Sequence, residues 1–246
     1  MKPIVLIPAR MASSRLPGKP LADIGGVPMI VRVWQRAVEA DLGPVVVACC
    51  EVEVQKAVEA AGGRAVMTNP NLASGSDRVW AALNAVDRGF EHDVVVNLQG
   101  DLPLFDAAVP RAALDALVTT GCDIGTVAAE IESEREADNP STVKVVATWD
   151  VGAMRGRAHY FTRARAPWGK GPWYAHVGVY VYRREALQRF VGLQPSPLEL
   201  REKLEQLRAI EAGMSIAVGR VDEVPLSVDT SADLEKARTA VARERR

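Results

Sequence analysis

Four short apolar runs, each followed by a segment of helical periodicity, constrain this chain more than any other feature. Residues 4–7 precede a helical pattern at 29–40, 45–49 precede 52–61, 65–67 precede 77–87, and 94–98 precede 107–117. Several of these runs are apolar at consecutive rather than alternate positions, as in strands covered on both faces. Strand and helix in repeated succession predict an α/β fold with a mostly parallel, doubly wound sheet. Gly62-Gly63 and Gly121 stand where helices should stop.

Beyond about residue 124 the rhythm changes. Residues 124–131, 143–148 and 176–182 read as strands separated by longer loops and by the stretch APWGKGPW at 166–173. Amphipathic helices are predicted at 199–212 and 232–245, with a strand at 215–221 between them. The expectation is one domain over 1–246, with a first half of about 1–123 and a smaller mixed β lobe within about 124–228. There is no internal repeat and no long linker. The 246 residues are 48% hydrophobic and 25% charged, enough for a large core.

Charge narrows the partners. Thirty Lys and Arg against 31 Asp and Glu give a net charge of -1, so no global basic field points to nucleic acid or an acidic membrane. Any polyanion must be gripped locally. No cleavable leader is read and no apolar run approaches the roughly 20 residues of a membrane span, so a soluble, cytoplasmic protein is expected. The three cysteines, Cys49, Cys50 and Cys122, are too few and too unevenly placed for a disulfide framework or a four-ligand zinc site, and read as reduced thiols.

Four segments carry candidate chemistry. IPARMASSRLPGKPL, residues 7–21, follows the first strand and brings Arg10, Ser13, Arg15, Gly18 and Lys19 to the strand end where open α/β sheets bind ligands. Three cations and a glycine suit a di- or triphosphate, although such a loop is also what a solvated surface looks like. Neither a P-loop nor G-x-G-x-x-G is present. DVVVNLQGDLP, residues 93–103, puts Gln99 and Asp101 just past another apolar run. Asp101 there suits Mg²⁺, which takes one or two carboxylates together with substrate phosphates, or it closes a turn or caps the next helix. VPLSVDTSADLEKAR, residues 224–238, places Asp229 before a helix that Thr230 or Ser231 could cap; it offers a second carboxylate, or the Asp-Thr-Ser cluster is ordinary helix-cap chemistry. NPNLASGSDRVWAAL, residues 69–83, opens a helix with Ser74 and Gly75 and adds Arg78 as a donor, and capping accounts for it equally well.

In order and at matching intervals, PARMASSRLPGKPL, ASGSDR, NLQGDLP, HVGVYVYR, QPSPLELREKLEQLR and VDTSADLEKAR resemble the CMP-Kdo synthetases, the 3-deoxy-manno-octulosonate cytidylyltransferases. The resemblance covers nearly the whole chain. It implies a Rossmann-like nucleotidyltransferase fold, a homodimer, Mg²⁺ as cofactor, and transfer of CMP from CTP to the anomeric hydroxyl of 3-deoxy-D-manno-octulosonate (Kdo) for lipopolysaccharide synthesis. By that resemblance Arg10, Ser13, Arg15 and Lys19 face the CTP phosphates and ribose. Lys19 and Arg15 stabilise charge developing on pyrophosphate, and Ser74, Gly75, Arg78 and Gln99 lie near the nucleoside. Asp101 and Asp229 hold Mg²⁺, while Arg163, His176, Tyr180, Glu205 and Gln206 match the acceptor-sugar side.

The chain departs from the family pattern at Leu102, where an acid is usual, and at Cys50, where another acid is usual. The segment between Pro167 and His176 is shorter than usual, and PLSVDT replaces a glycine-containing approach to the second Asp. These departures leave two alternatives, a cytidylyltransferase for a related sugar acid such as an amino-substituted Kdo, and a nucleotide-binding paralogue without catalysis.

Overall fold

The computed structural model of the protein describes residues 1–13, 15–150, 152 and 154–244, without the side chain of Glu244. The chain groups into two compact units, residues 1–107 with 225–246, and residues 108–224.

In the first unit, β1 (Pro3–Pro8), a two-residue hairpin β2 (Asp23–Ile24) and β3 (Val27–Pro28), and α1 (Met29–Glu39) come first. They are followed by β4 (Val45–Cys49), α2 (Val52–Ala60), β5 (Arg64–Met67), α3 (Gly75–Val86) and β6 (Val94–Leu98). Four strands lie in the order β5-β4-β1-β6, and every neighbouring pair is parallel. β6 is buried along its whole length, and β1 at its four central residues. That is why β1 reads as an unbroken apolar run over residues 4–7 and β6 over 94–96, with Asn97 a buried polar residue beyond. From β1 the chain moves outward through β4 to β5 and then returns to place β6 on β1's other side. The order therefore reverses between β1 and β6, and the crevice beyond the carboxyl ends of such strands is the preferred ligand position of open sheets. Arg245 and Arg246 lie outside the described residues, so the helix expected to reach 245 is seen as Ser231–Glu244. Its Leu234, Ala237 and Val241 pack on Ile24, Met29 and Val228.

The second unit contains α4 (Ala108–Thr120), β7 (Ile124–Ile131), α5 (Glu134–Ala137), β8 (Lys144–Trp149) and β9 (Arg155–Thr162). It continues with β10 (Trp173–Arg183), α6 (Arg184–Val191), α7 (Pro197–Glu202), α8 (Leu207–Glu211) and β11 (Ile216–Val221). Its strands run β10-β7-β11-β9-β8 and are mixed: β11 is parallel to β7, and the other neighbours are antiparallel. α4 lies close on this sheet because two strand positions lack side chains. A Cβ on Gly125 would fall 2.3 Å from Ala113 O, and one on Gly219 would fall 2.7 Å from Ala112 O.

Two expectations change. The single helix predicted at 199–212 is two helices, because Lys203 adopts a left-handed backbone (φ 59) after Glu202. Arg208 bridges the break with a forked ion pair to Glu199, both side chains only 10–12% exposed. β9 is a strand that hydrophobic periodicity does not reveal. Its inward residues at the start are Gly156 and Ala158, too small to register as an apolar run.

Candidate active site

The loop after β1 is shaped by its own sequence. Gly18 takes φ 71, a conformation open to glycine at little cost, and starts a 3₁₀ turn over Lys19–Leu21 in which Pro20 has the preset helical φ. The turn carries Lys19 inward, its side chain only 13% exposed. Ser13 Oγ accepts the Leu16 N–H at 3.3 Å and the Gly18 N–H reaches Met11 O at 3.4 Å, so the loop is tied to itself. β6 leaves its sheet directly against this loop. A Cβ on Gly100 would lie 2.8 Å from the Pro8 carbonyl oxygen, so only glycine permits that approach without a shift. One residue later, the Val228 N–H donates to Asp101 O at 2.9 Å and brings Asp229 alongside Asp101.

Lys19 Nζ donates to Asp101 Oδ2 and to Asp229 Oδ1, each at 2.9 Å, and Arg15 Nη2 lies 3.1 Å from the same Asp229 oxygen. Asp229 does not cap the helix that follows it. Thr230 does so, its hydroxyl donating to Asp233 at 2.7 Å and accepting the Asp233 N–H at 3.3 Å. The Asp229 carboxylate is thereby left to the cations, and the Asp101 carboxylate meets Lys19 instead of serving as a cap.

Across the cavity, Ser74 caps α3 through a reciprocal pair with Asp77. This sets the positive end of a 12-residue helix, beginning at Gly75, in the cavity wall. Arg78 is 2% exposed and is held by Thr68 Oγ1 and Asn69 O. Gln99 Nε2 donates to Asn97 Oδ1 at 3.2 Å.

All ten residues expected on the nucleotide and metal side, Arg10, Ser13, Arg15, Lys19, Ser74, Gly75, Arg78, Gln99, Asp101 and Asp229, line one cavity of about 350 Å³. Four cations face two carboxylates there, an excess of positive charge suited to a polyphosphate. Two hard carboxylate oxygen donors beside that charge also fit Mg²⁺, which is completed by phosphate and water. No group of three or more His, Cys, Asp or Glu side chains placed to hold a metal occurs among the described residues, so a metal here would take part of its shell from substrate.

Two of the departures, Leu102 beside Asp101 and Cys50 within reach of the fields of Arg10 and Arg78, have physical readings. Leu102 is 5% exposed, so an apolar residue suits its buried position. Cys50 is raised above the ordinary thiol range by burial and by a hydrogen bond to Glu51, against the pull of Arg78 and Arg10, and so remains an uncharged thiol. Cys49 and Cys122 are buried, and all three cysteines are free. Sequence reasoning missed Glu51, whose Oε1 accepts the Met11 N–H at 3.0 Å and so anchors the root of the cation loop. Its only sequence signal is an acid just past the strand next to β1.

The five acceptor-side candidates lie in the second unit. His176 and Tyr180 sit on β10 within an aromatic row, Phe161, His176, Tyr180, Tyr182 and Phe190, with successive centroids 4.9, 5.4, 6.0 and 5.7 Å apart. Burial pushes the His176 imidazole down to about 3 and, with Tyr182 and Glu205 nearby, drives the Tyr180 phenol well above its ordinary value. Both side chains are uncharged near neutrality. Arg163 braces backbone: Nε donates to Glu202 O at 2.7 Å, Nη1 to Pro140 O at 2.9 Å and Nη2 to Lys203 O at 3.4 Å. Three of its five N–H donors are thus engaged. Glu202 returns the contact, accepting the Thr162 hydroxyl at 2.8 Å and the Arg163 N–H at 2.9 Å. Glu205 and Gln206 lie in the break between α7 and α8, with Gln206 5% exposed.

Comparison with known proteins gives the site a family. A cytidylyltransferase family model matches residues 4–216. A 3-deoxy-manno-octulosonate cytidylyltransferase of Parvibaculum lavamentivorans is 64% identical over 241 residues, covering 98% of this chain and 93% of its own. One from Rhodospirillum centenum is 61% identical, covering 96% of this chain and 92% of its own. A solved structure of a CMP:2-keto-3-deoxy-manno-octonic acid synthetase complexed with CTP is 40% identical, with a TM-score of 0.91 over 99% of this chain and 100% of that one. A nucleotidyl transferase from Methanothermobacter, at 14% identity and TM-score 0.63, shares the fold. With a mixed α/β nucleotidyltransferase fold, a matching family model and close relatives along nearly its whole length, the chain belongs to the cytidylyltransferase family, among the 3-deoxy-manno-octulosonate cytidylyltransferases.

Proposed function

We propose that this protein transfers CMP from CTP to the anomeric hydroxyl of Kdo, forming CMP-Kdo and pyrophosphate. The observation that carries this reading is Lys19 held between Asp101 and Asp229 in a cation-rich cavity that gathers all ten nucleotide-side residues. Such a transfer needs positioning and charge neutralisation rather than a covalent nucleophile. Arg10, Ser13, Arg15 and Lys19 grip the phosphates. Arg15, 65% exposed, is free to swing from Asp229 to a phosphate oxygen, whereas Lys19 stays in the cavity wall and meets charge developing on pyrophosphate. The N-terminus of α3 at Gly75, with Ser74, Arg78 and Gln99, serves the nucleoside.

Asp101 and Asp229 are the residues that would hold Mg²⁺, which when bound neutralises phosphate charge and acidifies the attacking hydroxyl. Arg163, His176, Tyr180, Glu205 and Gln206 are assigned to the sugar acid. The fold reading that accompanies this function is a single Rossmann-like domain with a doubly wound nucleotide half and a mixed lobe. The four parallel strands and the reversal beside β1 support it. A homodimer in the cytoplasm, supplying lipopolysaccharide assembly, completes the proposal. Among the described residues no helix is long and apolar enough to cross a membrane.

The test is pyrophosphate release from four nucleoside triphosphates paired with several 3-deoxy sugar acids, with Mg²⁺ and with chelator. Turnover should be greatest with CTP, Kdo and Mg²⁺ and be lost in Asp101→Ala and Asp229→Ala. A preference for UTP or ATP with a sugar 1-phosphate, or CTP binding without turnover on any sugar acid, would overturn it.

A further inference from the structure

The strand that carries His176 and Tyr180 is irregular. Val177 of β10 pairs with Val127 and Tyr180 with Thr126, so Gly178 and Val179 have no counterparts on β7 and the carbonyls around them lose ladder partners. The Thr126 side chain, fully buried, takes their place. Its Oγ1 lies 2.7 Å from Val179 O, 3.3 Å from Val177 O and 2.9 Å from His176 Nε2.

A hydroxyl has one proton, and a carbonyl oxygen can only accept. The Thr126 proton therefore goes to the bulge carbonyls, Val179 O foremost. Toward His176 the same oxygen has only lone pairs to offer, so Nε2 must carry the hydrogen and donate. A neutral imidazole protonated at Nε2 has a bare lone pair at Nδ1. Nδ1 has no protein hydrogen-bond partner among the described residues, and His176 as a whole is only partly shielded from solvent. Burial supports the neutral form by pushing His176 down to about 3. Tyr180, its ring 5.4 Å away, is likewise only partly shielded as a residue, and its hydroxyl keeps its proton.

We propose that Thr126 is a positioning residue that locks His176 as the Nε2–H tautomer, so that Nδ1 accepts a hydrogen bond from a hydroxyl of the acceptor sugar. On this assignment His176 recognises an alcohol rather than the sugar's carboxylate, which needs a donor. The inference rests on the acceptor-side reading above and adds the direction of the hydrogen bond and the residue that sets it.

The experiment is nitrogen-15 NMR of the imidazoles in the full-length protein, with the His176 signals assigned by His176→Gln, together with separate KM values for CTP and Kdo. At neutral pH the wild type should show His176 protonated at Nε2 and bare at Nδ1. Adding Kdo should move the Nδ1 resonance, and adding CTP alone should not. Thr126→Val should mix the tautomers and raise KM for Kdo about tenfold while leaving KM for CTP unchanged, and Thr126→Ser should restore both readouts.

A wild-type Nδ1–H tautomer or imidazolium overturns the proposal without any variant having to fold. So does a Thr126→Val protein that keeps its KM for Kdo or loses both substrates equally. Absence of turnover with Kdo in the wild type would instead remove the acceptor reading, with the tautomer still measurable.

Discussion

Lys19 has two partners and little exposure, and that combination separates it from the other loop cations. An ion pair as exposed as Arg15 with Asp229 is worth about 0–1 kcal/mol, whereas a unit pair near contact in a partly sheltered wall, at an effective dielectric near 20, is worth about 4 kcal/mol before desolvation. Lys19→Ala is therefore expected to lower CTP-dependent turnover at least about 100-fold while shifting the thermal midpoint by only a few degrees. Arg15→Ala should raise KM for CTP with a smaller loss of kcat. Parallel kinetics and melting curves check both, and equal loss of activity and stability in Lys19→Ala would make the loop a structural element. The loop's chemistry is legible in sequence because Gly18, Lys19 and Pro20 each impose a local constraint. The pairing of Asp101 with Asp229, 128 positions apart, comes only from the family resemblance and not from the residues themselves, because the Val228-to-Asp101 hydrogen bond that brings them together is tertiary.

At the scale of elements, α4 depends on what its sheet lacks. An added methyl at Gly125 has backbone, not a flexible side chain, 2.3 Å away, so the helix itself must move. Gly125→Ala is expected to destabilise the protein by about 1–3 kcal/mol, as overpacking does, visible as a lowered denaturant midpoint at unchanged m-value. The reverse case is β9, where Gly156 and Ala158 conceal a strand from any hydrophobicity pattern. A Cβ on Gly156 would fall 2.2 Å from Thr148 O, so the close approach of β8 is what excludes a larger residue. Similarly, a helical pattern runs through 199–212, but the left-handed turn at Lys203 and the Arg208–Glu199 fork stabilise two short helices instead.

For the molecule as a whole, acid should be the weakness. His176 is pushed down from 6.5 to about 3 by burial, so between those values the unfolded chain takes up a proton that the folded chain refuses. Stability then falls as pH drops through that window, by up to about 1.4 kcal/mol per pH unit for this one group. Asp123 adds to this at lower pH. Burial works to raise it, but the Ser215 N–H and hydroxyl, each 2.7 Å from Oδ2, with Arg189 and Arg183 nearby, hold it below the ordinary carboxylate value of 3.8. Its contribution is complete above 3.8 and is lost as pH falls through its lower folded value. Denaturant titrations from pH 7 to 3 should show this decline, and His176→Gln should flatten it between 6.5 and 4; an unchanged slope in that variant would assign the acid sensitivity elsewhere.

By itself the sequence determined the strand-helix alternation of the first unit, the gathering of cations in the loop after its first strand, and the family, since each is written in neighbouring residues or in motif order. Only the tertiary structure decided that Lys19 stands between two distant carboxylates and that Thr126 sits in the bulge beside His176. Those facts depend on which strands lie side by side, and strand order and register are set by packing across long stretches of chain rather than by any local preference.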